Sequence, residues 1–266
     1  MAIDPHPQER RDGLWDRCNA CNEFIFRQVL ERNLYVCPSC NYYFPMPAEP
    51  RLHHLLDFEP SRDLYPASMP KSVLKSLKLT DLISGTVFPD DQPIFAGQGA
   101  ISGYPTILAV VHPYAVSQRV HFATLLVALY TALKEELPLT TVYPNNALPQ
   151  SGETDQPTPS ELSFAEATYL TVEMERLSEA RLPHITVLTD MNVDGKLSTQ
   201  FPLGDFVLAE REELKDQPPP SSNQTQPPEL SEAPQSDDVF IDLYFQRQDL
   251  PEVIGQLLCF FAKNEE

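Results

Sequence analysis

Basic residues are scarce in this chain. Nineteen Lys and Arg stand against 38 Asp and Glu, for a formal charge of −19. Attraction to a phosphate backbone needs clustered cations, so this balance argues against nucleic acid as the main partner. Long apolar runs are missing too. The longest candidate, Phe122 to Leu133, is interrupted by Thr124 and Thr131 and falls short of the ~20 residues a membrane helix requires. No N-terminal stretch has the basic start and apolar centre of a signal peptide. A soluble, cytoplasmic protein without a membrane segment is expected. Cysteine is sparse as well. Four of the five lie in paired CxxC groups and the fifth, Cys259, is isolated, a pattern that suits a metal site in a reducing compartment better than two disulfides.

Apolar residues, by contrast, are plentiful. They make up 42% of the 266 residues, enough for one substantial domain and a small one.

Cys18-x2-Cys21 and Cys37-x2-Cys40 are separated by fifteen residues, the spacing of a four-cysteine zinc site. Each CxxC bends into a tight knuckle, and a hairpin over Glu23 to Val36 can bring the second knuckle back to the first. Four thiolates close a tetrahedral shell around one structural Zn²⁺ and leave no position for a reacting water. Phe24, Phe26, Leu34 and Val36 are the expected packing residues. A redox dithiol pair has no need of two CxxC groups at this spacing, and an iron–sulfur cluster is the remaining alternative.

The remainder reads as α/β. Residues 1–13 are a flexible N-terminus, and 14–57 comprise the ribbon with a short helical link, Arg51-Leu-His-His-Leu-Leu-Asp57. Residues 58–93 form a connector and 94–214 a core. Within the core, Phe95–Ser102 and Tyr104–His112 are strands about a turn at Gly103. Apolar residues at helical spacing predict a helix over Ser117–Leu137, stopped by Pro138. Leu139–Tyr143, His184–Thr189 and Asp205–Ala209 are further strands. Ser160–Arg181 is a helix with a capped, acidic start at Ser160 and Glu161. Residues 215–238 carry Pro, Ser, Gln and acidic residues with little apolar surface, and a disordered linker is expected there. Val239–Phe245 and Leu250–Lys263 supply a closing strand and helix over 239–266, the helix burying Val253, Leu257, Phe260 and Phe261. No internal repeat is evident.

Several of these segments together resemble one family. Leu14-Trp-Asp-Arg-Cys-Asn-Ala-Cys21, Leu30-Glu-Arg-Asn-Leu34, Val36-Cys-Pro-Ser-Cys40 and Arg51-Leu-His53 with Leu55-Leu-Asp57 are similar to the N-terminal part of the bacterial, zinc-ribbon type of acetyl-CoA carboxylase carboxyltransferase β subunits. Leu182-Pro183, Ile185–Asp190, Leu203-Gly-Asp205, Ala209-Glu210 and Ile241-Asp242 to Ala262 continue the likeness. The resemblance implies a crotonase-like fold of ββα units behind the ribbon. It also implies transfer of a carboxyl group from carboxybiotin to acetyl-CoA, giving malonyl-CoA for fatty acid biosynthesis, in an assembly with an α subunit. In the family, backbone N–H groups in glycine-rich turns stabilise the enolate and ureido oxygens. Such donors contribute about 3–4 kcal/mol each.

The chain departs from that pattern at those turns. Pro113-Tyr-Ala-Val-Ser-Gln118 stands where the family has a glycine-rich run, and Tyr143-Pro-Asn-Asn-Ala-Leu-Pro149 where it has an oxyanion turn. Pro144 and Pro149 have no N–H, and side chains hinder positive φ and close approach. A twin-glycine turn after Asp190 is reduced to Asp194-Gly195. With nine glycines in the chain, no shift of alignment restores the turns.

The expectation is therefore a reduced crotonase-like domain in a zinc-binding homologue. Its task is assembly with, or regulation of, a carboxylase complex, partnered by a carboxyltransferase α-like subunit or other carboxylase components. Acetyl-CoA is a candidate ligand with no binding or catalytic residues assigned. The alternatives are a working β subunit completed by its α subunit, and an interaction module unrelated to carboxylation. His112, His121 and His184 lie in or beside apolar elements and read as structural. His53 and His54 are superfluous to a shell of four sulfurs. Glu135, Glu136, Glu173 and Glu175 read as solvated helix faces, Asp190 and Asp194 as a weak cation pair, and Cys259 as a core thiol.

Overall fold

The computed structural model describes residues 14–58, 94–111, 118–144, 164–189, 204–211 and 241–263. The expected connector and linker, and the turns at 113–117 and 145–149, lie outside the described residues, as do Asp190 and Asp194. The chain divides into two compact units, with residues up to Phe44 in the first and the sheet domain, from Pro45, in the second.

The first unit begins with a hairpin. Strands β1 (Trp15–Arg17) and β2 (Phe24–Phe26) pair antiparallel, Asp16 opposite Ile25. Side chains alternate across such a ribbon, so Ile25 turns inward while Phe24 is exposed. The segment expected to complete a hairpin over 23–36 instead becomes helix α1 (Arg27–Arg32), because Arg27-Gln-Val-Leu-Glu-Arg32 is a run of good helix formers. It stops where Leu34 and Tyr35 both take positive φ. The packing set accordingly differs from Phe24, Phe26, Leu34 and Val36. Ile25 and Leu30 are buried with the cysteines, and Tyr35, Tyr42 and Phe44 pack against them.

In the second unit, helix α2 (Ala48–Leu55) precedes a six-stranded sheet. Its strands lie in chain order: β3 (Ile94–Ile101), β4 (Tyr104–Val111), β5 (Leu139–Pro144), β6 (His184–Thr189), β7 (Phe206–Glu210) and β8 (Leu243–Phe245). β3 and β4 form an antiparallel hairpin, and every later pair is parallel. A parallel sheet needs cover on both faces. Helices α3 (Gln118–Glu135) and α4 (Phe164–Glu179) pack on one, against Ile107, Ala109 and Leu139. Helix α2 and the last helix, α5 (Leu250–Lys263), pack on the other, against Leu108, Val110, Val142, Ile185, Val187 and Leu208. β6, enclosed from both sides, is buried at all its positions.

α3 and α4 end alike, although no repeat is visible in the sequence. Glu136 and Arg181 take φ of 53° and 59°, and Leu137 and Leu182 donate N–H back to Ala132 O and Leu177 O at 3.1 and 3.2 Å. These are the closing bonds of a left-handed helix stop. Pro138 and Pro183 follow and cannot extend a helix. Their carbonyls accept from Ile107 N–H (2.8 Å) and Leu139 N–H (2.9 Å), so each proline opens the next parallel ladder.

Two expectations at the C-terminus are corrected. The last strand begins at Leu243 rather than Val239, because Asp242 leaves the ladder. Its carboxylate accepts Val207 N–H at 2.8 Å and its own N–H goes to Val207 O at 2.9 Å. α5 has the expected bounds, but its buried face is Leu250, Ile254 and Leu258, with Val253 and Leu257 half-buried and Phe260 60% exposed. Glu252 and Gln256 share one face of the helix, so its periodicity marks the opposite face, Leu250, Ile254 and Leu258, and the expected set lay to one side of it.

Candidate metal centre

The two knuckles are built by one local device used twice. After each CxxC comes an asparagine, Asn22 or Asn41, at φ of 63° or 64°, a conformation Asn tolerates better than most residues. Asn22 N–H reaches Cys18 O and Asn41 N–H reaches Cys37 O, each at 2.9 Å. Cys18 N–H then bonds Glu23 O and Cys37 N–H bonds Tyr42 O, each at 2.8 Å. The Ser39 hydroxyl donates to the Glu23 carboxylate and joins the knuckles across the site.

This geometry converges all four sulfurs. Their Sγ atoms lie within 4.8 Å of one another, with Cys18–Cys40 and Cys21–Cys37 both at 3.7 Å. A tetrahedral ion with ~2.3 Å bonds to sulfur places its ligands about 3.8 Å apart. The donor set therefore fits Zn²⁺ in spacing and in chemistry. Burial pushes the Cys40 thiol up to about 12, and also raises Cys18 against the N–H groups of Cys21 and Ala20. Burial opposes ionisation of Cys37 too, but there the N–H groups of Cys40 and Ser39 help to bring the thiol below its ordinary value. Four thiolates this close need a cation among them, and a bound divalent ion deprotonates coordinating thiols. A zinc ion in this closed shell supplies structure and no open position for chemistry.

Of the other residues singled out in the sequence, His53 is exposed and His54 half-buried on α2, and neither belongs to the thiol group. His54 Nε2 lies 2.9 Å from the Arg247 carbonyl. His184 is buried on β6, with Nε2 2.8 Å from Thr141 Oγ1. Desolvation lowers its pKa to about 3, so it stands neutral. Cys259 is half-buried, and Tyr104, hydrogen-bonded to it, is raised above its usual pKa by that contact. Glu135, Glu136 and Glu175 are exposed. Glu173 is not on a solvated face: it is 4% exposed, accepts from the Tyr130 hydroxyl at 3.1 Å and pairs with Arg176 at 2.7 Å. Burying the Tyr130 end of α3 draws this carboxylate in as its partner. His112 and the side chain of His121 lie outside what is described.

A second polar cluster had no signal in the sequence. Glu210, ending β7, meets Arg247 in the 3-10 turn before α5 and Arg51 on α2, all at most 3% exposed. Arg51 and Asp57 both come from the Arg51–Asp57 motif, and Asp57 accepts the turn N–H groups of Ser102 and Gly103 at 3.1 and 2.7 Å. Arg51, within α2, thus ties the helix to β7, and Asp57, two residues past its last turn, holds the β3–β4 turn.

Residues 15–40 match the acetyl-CoA carboxylase zinc finger domain family. The chain is 28% identical over 220 residues to the acetyl-coenzyme A carboxylase carboxyl transferase subunit beta of Desulforamulus reducens, covering 76% of this chain and 70% of that protein. Among solved structures, the β subunit of a geranyl-CoA carboxylase from P. aeruginosa is similar with a TM-score of 0.44 and 16% identity, over 79% of this chain and 42% of that one. A Pseudomonas malonate decarboxylase heterodimer gives a TM-score of 0.38 and 18% identity, over 82% and 86%. The four cysteines form a zinc-ribbon site, consistent with one structural Zn²⁺. Among the described residues no helix is long and apolar enough to cross a membrane.

Proposed function

We propose that this chain is a zinc-ribbon homologue of the carboxyltransferase β subunit that serves a cytoplasmic acetyl-CoA carboxylase as an assembly or regulatory subunit, with transferase activity lost or much reduced. Cys18, Cys21, Cys37 and Cys40 are the zinc ligands in this reading. The relative from Desulforamulus reducens, matched over 70% of its length, supports the carboxylase setting and a partner of the α-subunit kind.

The observation that carries the loss of activity is the chemistry of the turns. Pro144 closes β5 and has no N–H. The segments 113–118 and 145–149 contain no glycine, although turns that aim two N–H groups at one oxygen usually need it. Losing two such donors costs about 5–8 kcal/mol, or roughly four to six decades in rate. The test is malonyl-CoA formation by the full chain with its matched α subunit. Turnover at least a thousandfold below that of a glycine-complete β subunit is expected. Turnover within tenfold would establish instead a working β subunit completed by its α partner, a reading favoured by the length of the match to a carboxyl transferase.

A further inference from the structure

The zinc ribbon turns one face of its hairpin outward. In the β1–β2 ladder Trp15 stands opposite Phe26 and Arg17 opposite Phe24. Positions two apart on a strand share a face, so these four side chains lie together, on the side away from the buried Ile25. Contacts join them in pairs. The Trp15 and Phe26 rings meet edge to face at 5.4 Å, and the Arg17 guanidinium lies 5.9 Å from the centre of the Phe24 ring. Yet Trp15 is 59% and Phe24 68% exposed. A ribbon of this size has few apolar side chains to spare from its core. Scattered exposed ones need no explanation, but aromatic rings side by side on one small face mark a contact surface.

We propose that this face docks the proline-rich stretch of the same chain, residues 217–228, laid along it as an extended polyproline helix. Spacing, charge and tethering select that occupant. The stretch reads Gln217-Pro-Pro-Pro-Ser-Ser-Asn-Gln-Thr-Gln-Pro-Pro228, and consecutive prolines favour the polyproline II form. Pro218 and Pro220 then stand about 6 Å apart, close to the roughly 6.6 Å that separates Phe24 from Phe26 along β2. Such helices dock on exposed aromatic rings with little conformational entropy left to lose. Asp216 and Glu229 bracket the stretch, so a carboxylate is available to Arg17 in either direction of docking. The stretch belongs to residues 212–240, tethered to the sheet domain at Arg211 and Ile241. Covalent attachment gives it an effective concentration of about 1 mM, at which a weak contact suffices. A nucleic-acid strand would also stack on the rings, but a chain carrying −19 repels it.

Trp15 is the single tryptophan of the chain, so its fluorescence reports on this face alone. The full zinc-loaded chain would be compared with a proline variant carrying Pro218→Ala, Pro219→Ala, Pro220→Ala, Pro227→Ala and Pro228→Ala. A second variant adds Phe24→Ser to these, and zinc content would verify an intact ribbon in each. The proline variant should show red-shifted Trp15 emission and an acrylamide quenching constant about twofold larger than the parent's. A synthetic peptide of residues 216–229 should reverse both changes in the proline variant and leave the variant with Phe24→Ser unaltered. Equal quenching of the parent and the proline variant overturns the proposal. If the peptide nonetheless shields Trp15 in both, the occupant is a proline-rich segment of another protein. If shielding in the parent is lost on dilution, the occupant is a second copy, and the proposal is likewise overturned. Shielding of the proline variant by a short oligothymidylate but not by the peptide would assign the face to nucleic acid and overturn it too.

Discussion

Glu210 and Arg247 form a bidentate ion pair wholly out of solvent, with Nε to Oε1 at 2.8 Å and Nη2 to Oε2 at 2.9 Å. Planar guanidinium and carboxylate match in this geometry. Arg51 reaches the same Oε1 at 3.4 Å from α2. A buried carboxylate between two cations is costly to leave half-made, because the surviving charges have no water to turn to. Glu210→Gln should destabilise the sheet domain by about 3–5 kcal/mol, a fall in Tm of roughly 10 °C. Arg247→Met should cost more than Arg51→Met, in line with the shorter contacts. Equal losses in thermal melts for the two arginine variants would contradict that ranking.

The zinc prediction follows from the size of the ribbon. Ile25 and Leu30 are the buried apolar residues there besides the cysteines, too few to fold about thirty residues unaided. Binding energy is then folding energy. Cys37→Ser should release the metal and abolish amide protection over residues 15–44. The sheet domain has cores of its own and should keep its protection. Elemental analysis should find one zinc per chain in the parent, and iron in its place would refute the assignment.

Two glycines give a graded test of backbone approach. A Cβ added at Gly204 would collide with the His184 carbonyl, which is main chain and buried. At Gly103 φ is +86° and nothing lies within 4 Å, so only the backbone conformation resists a side chain. Gly103→Ala should cost about 1 kcal/mol, and Gly204→Ala several times that, since β6 or β7 must shift. Urea titrations of both variants decide the order.

Much of this fold was legible because apolar periodicity and punctuation agree. Pro138 and Pro183 mark the helix-to-strand changes, and His184–Thr189 alternates too little to be anything but a strand covered on both sides. The cysteine spacing likewise announced the metal centre. What stayed hidden depends on contacts between distant residues. Glu210 pairs with an arginine 159 positions earlier, and no local pattern marks either as buried. Glu173 looked like part of a solvated helix face until α3 brought Tyr130 against it. The inner face of α5, by contrast, is marked by Glu252 and Gln256 on the opposite side, and the expected Val253 and Phe260 lie off it.

His184 sets the last prediction, an acid sensitivity with a defined window. Its ring is buried at the start of β6, with Nε2 beside Thr141 Oγ1 and Nδ1 without a hydrogen-bond partner among the described residues. Burial lowers its pKa to about 3, against roughly 6.5 when unfolded. The folded state thus prefers the neutral ring. Above pH 6.5 neither state binds the proton and the full stability is present. Between pH 6.5 and about 3 the unfolded chain takes up a proton that the folded chain refuses, so stability falls by about 1.4 kcal/mol per pH unit, roughly 4–5 kcal/mol in all. His54, also lowered by burial, adds a contribution of the same sign. In His184→Gln the amide can still meet Thr141 but cannot titrate. Unfolding free energies from urea titrations at pH 7.5, 6.5, 5.5 and 4.5 should fall less steeply for the variant, by about one proton. The variant should nonetheless be the less stable of the two at pH 7.5, where only packing and hydrogen bonding count. Parallel curves for the two proteins below pH 6.5 would mean that His184 charges in the folded state and is not sealed from solvent.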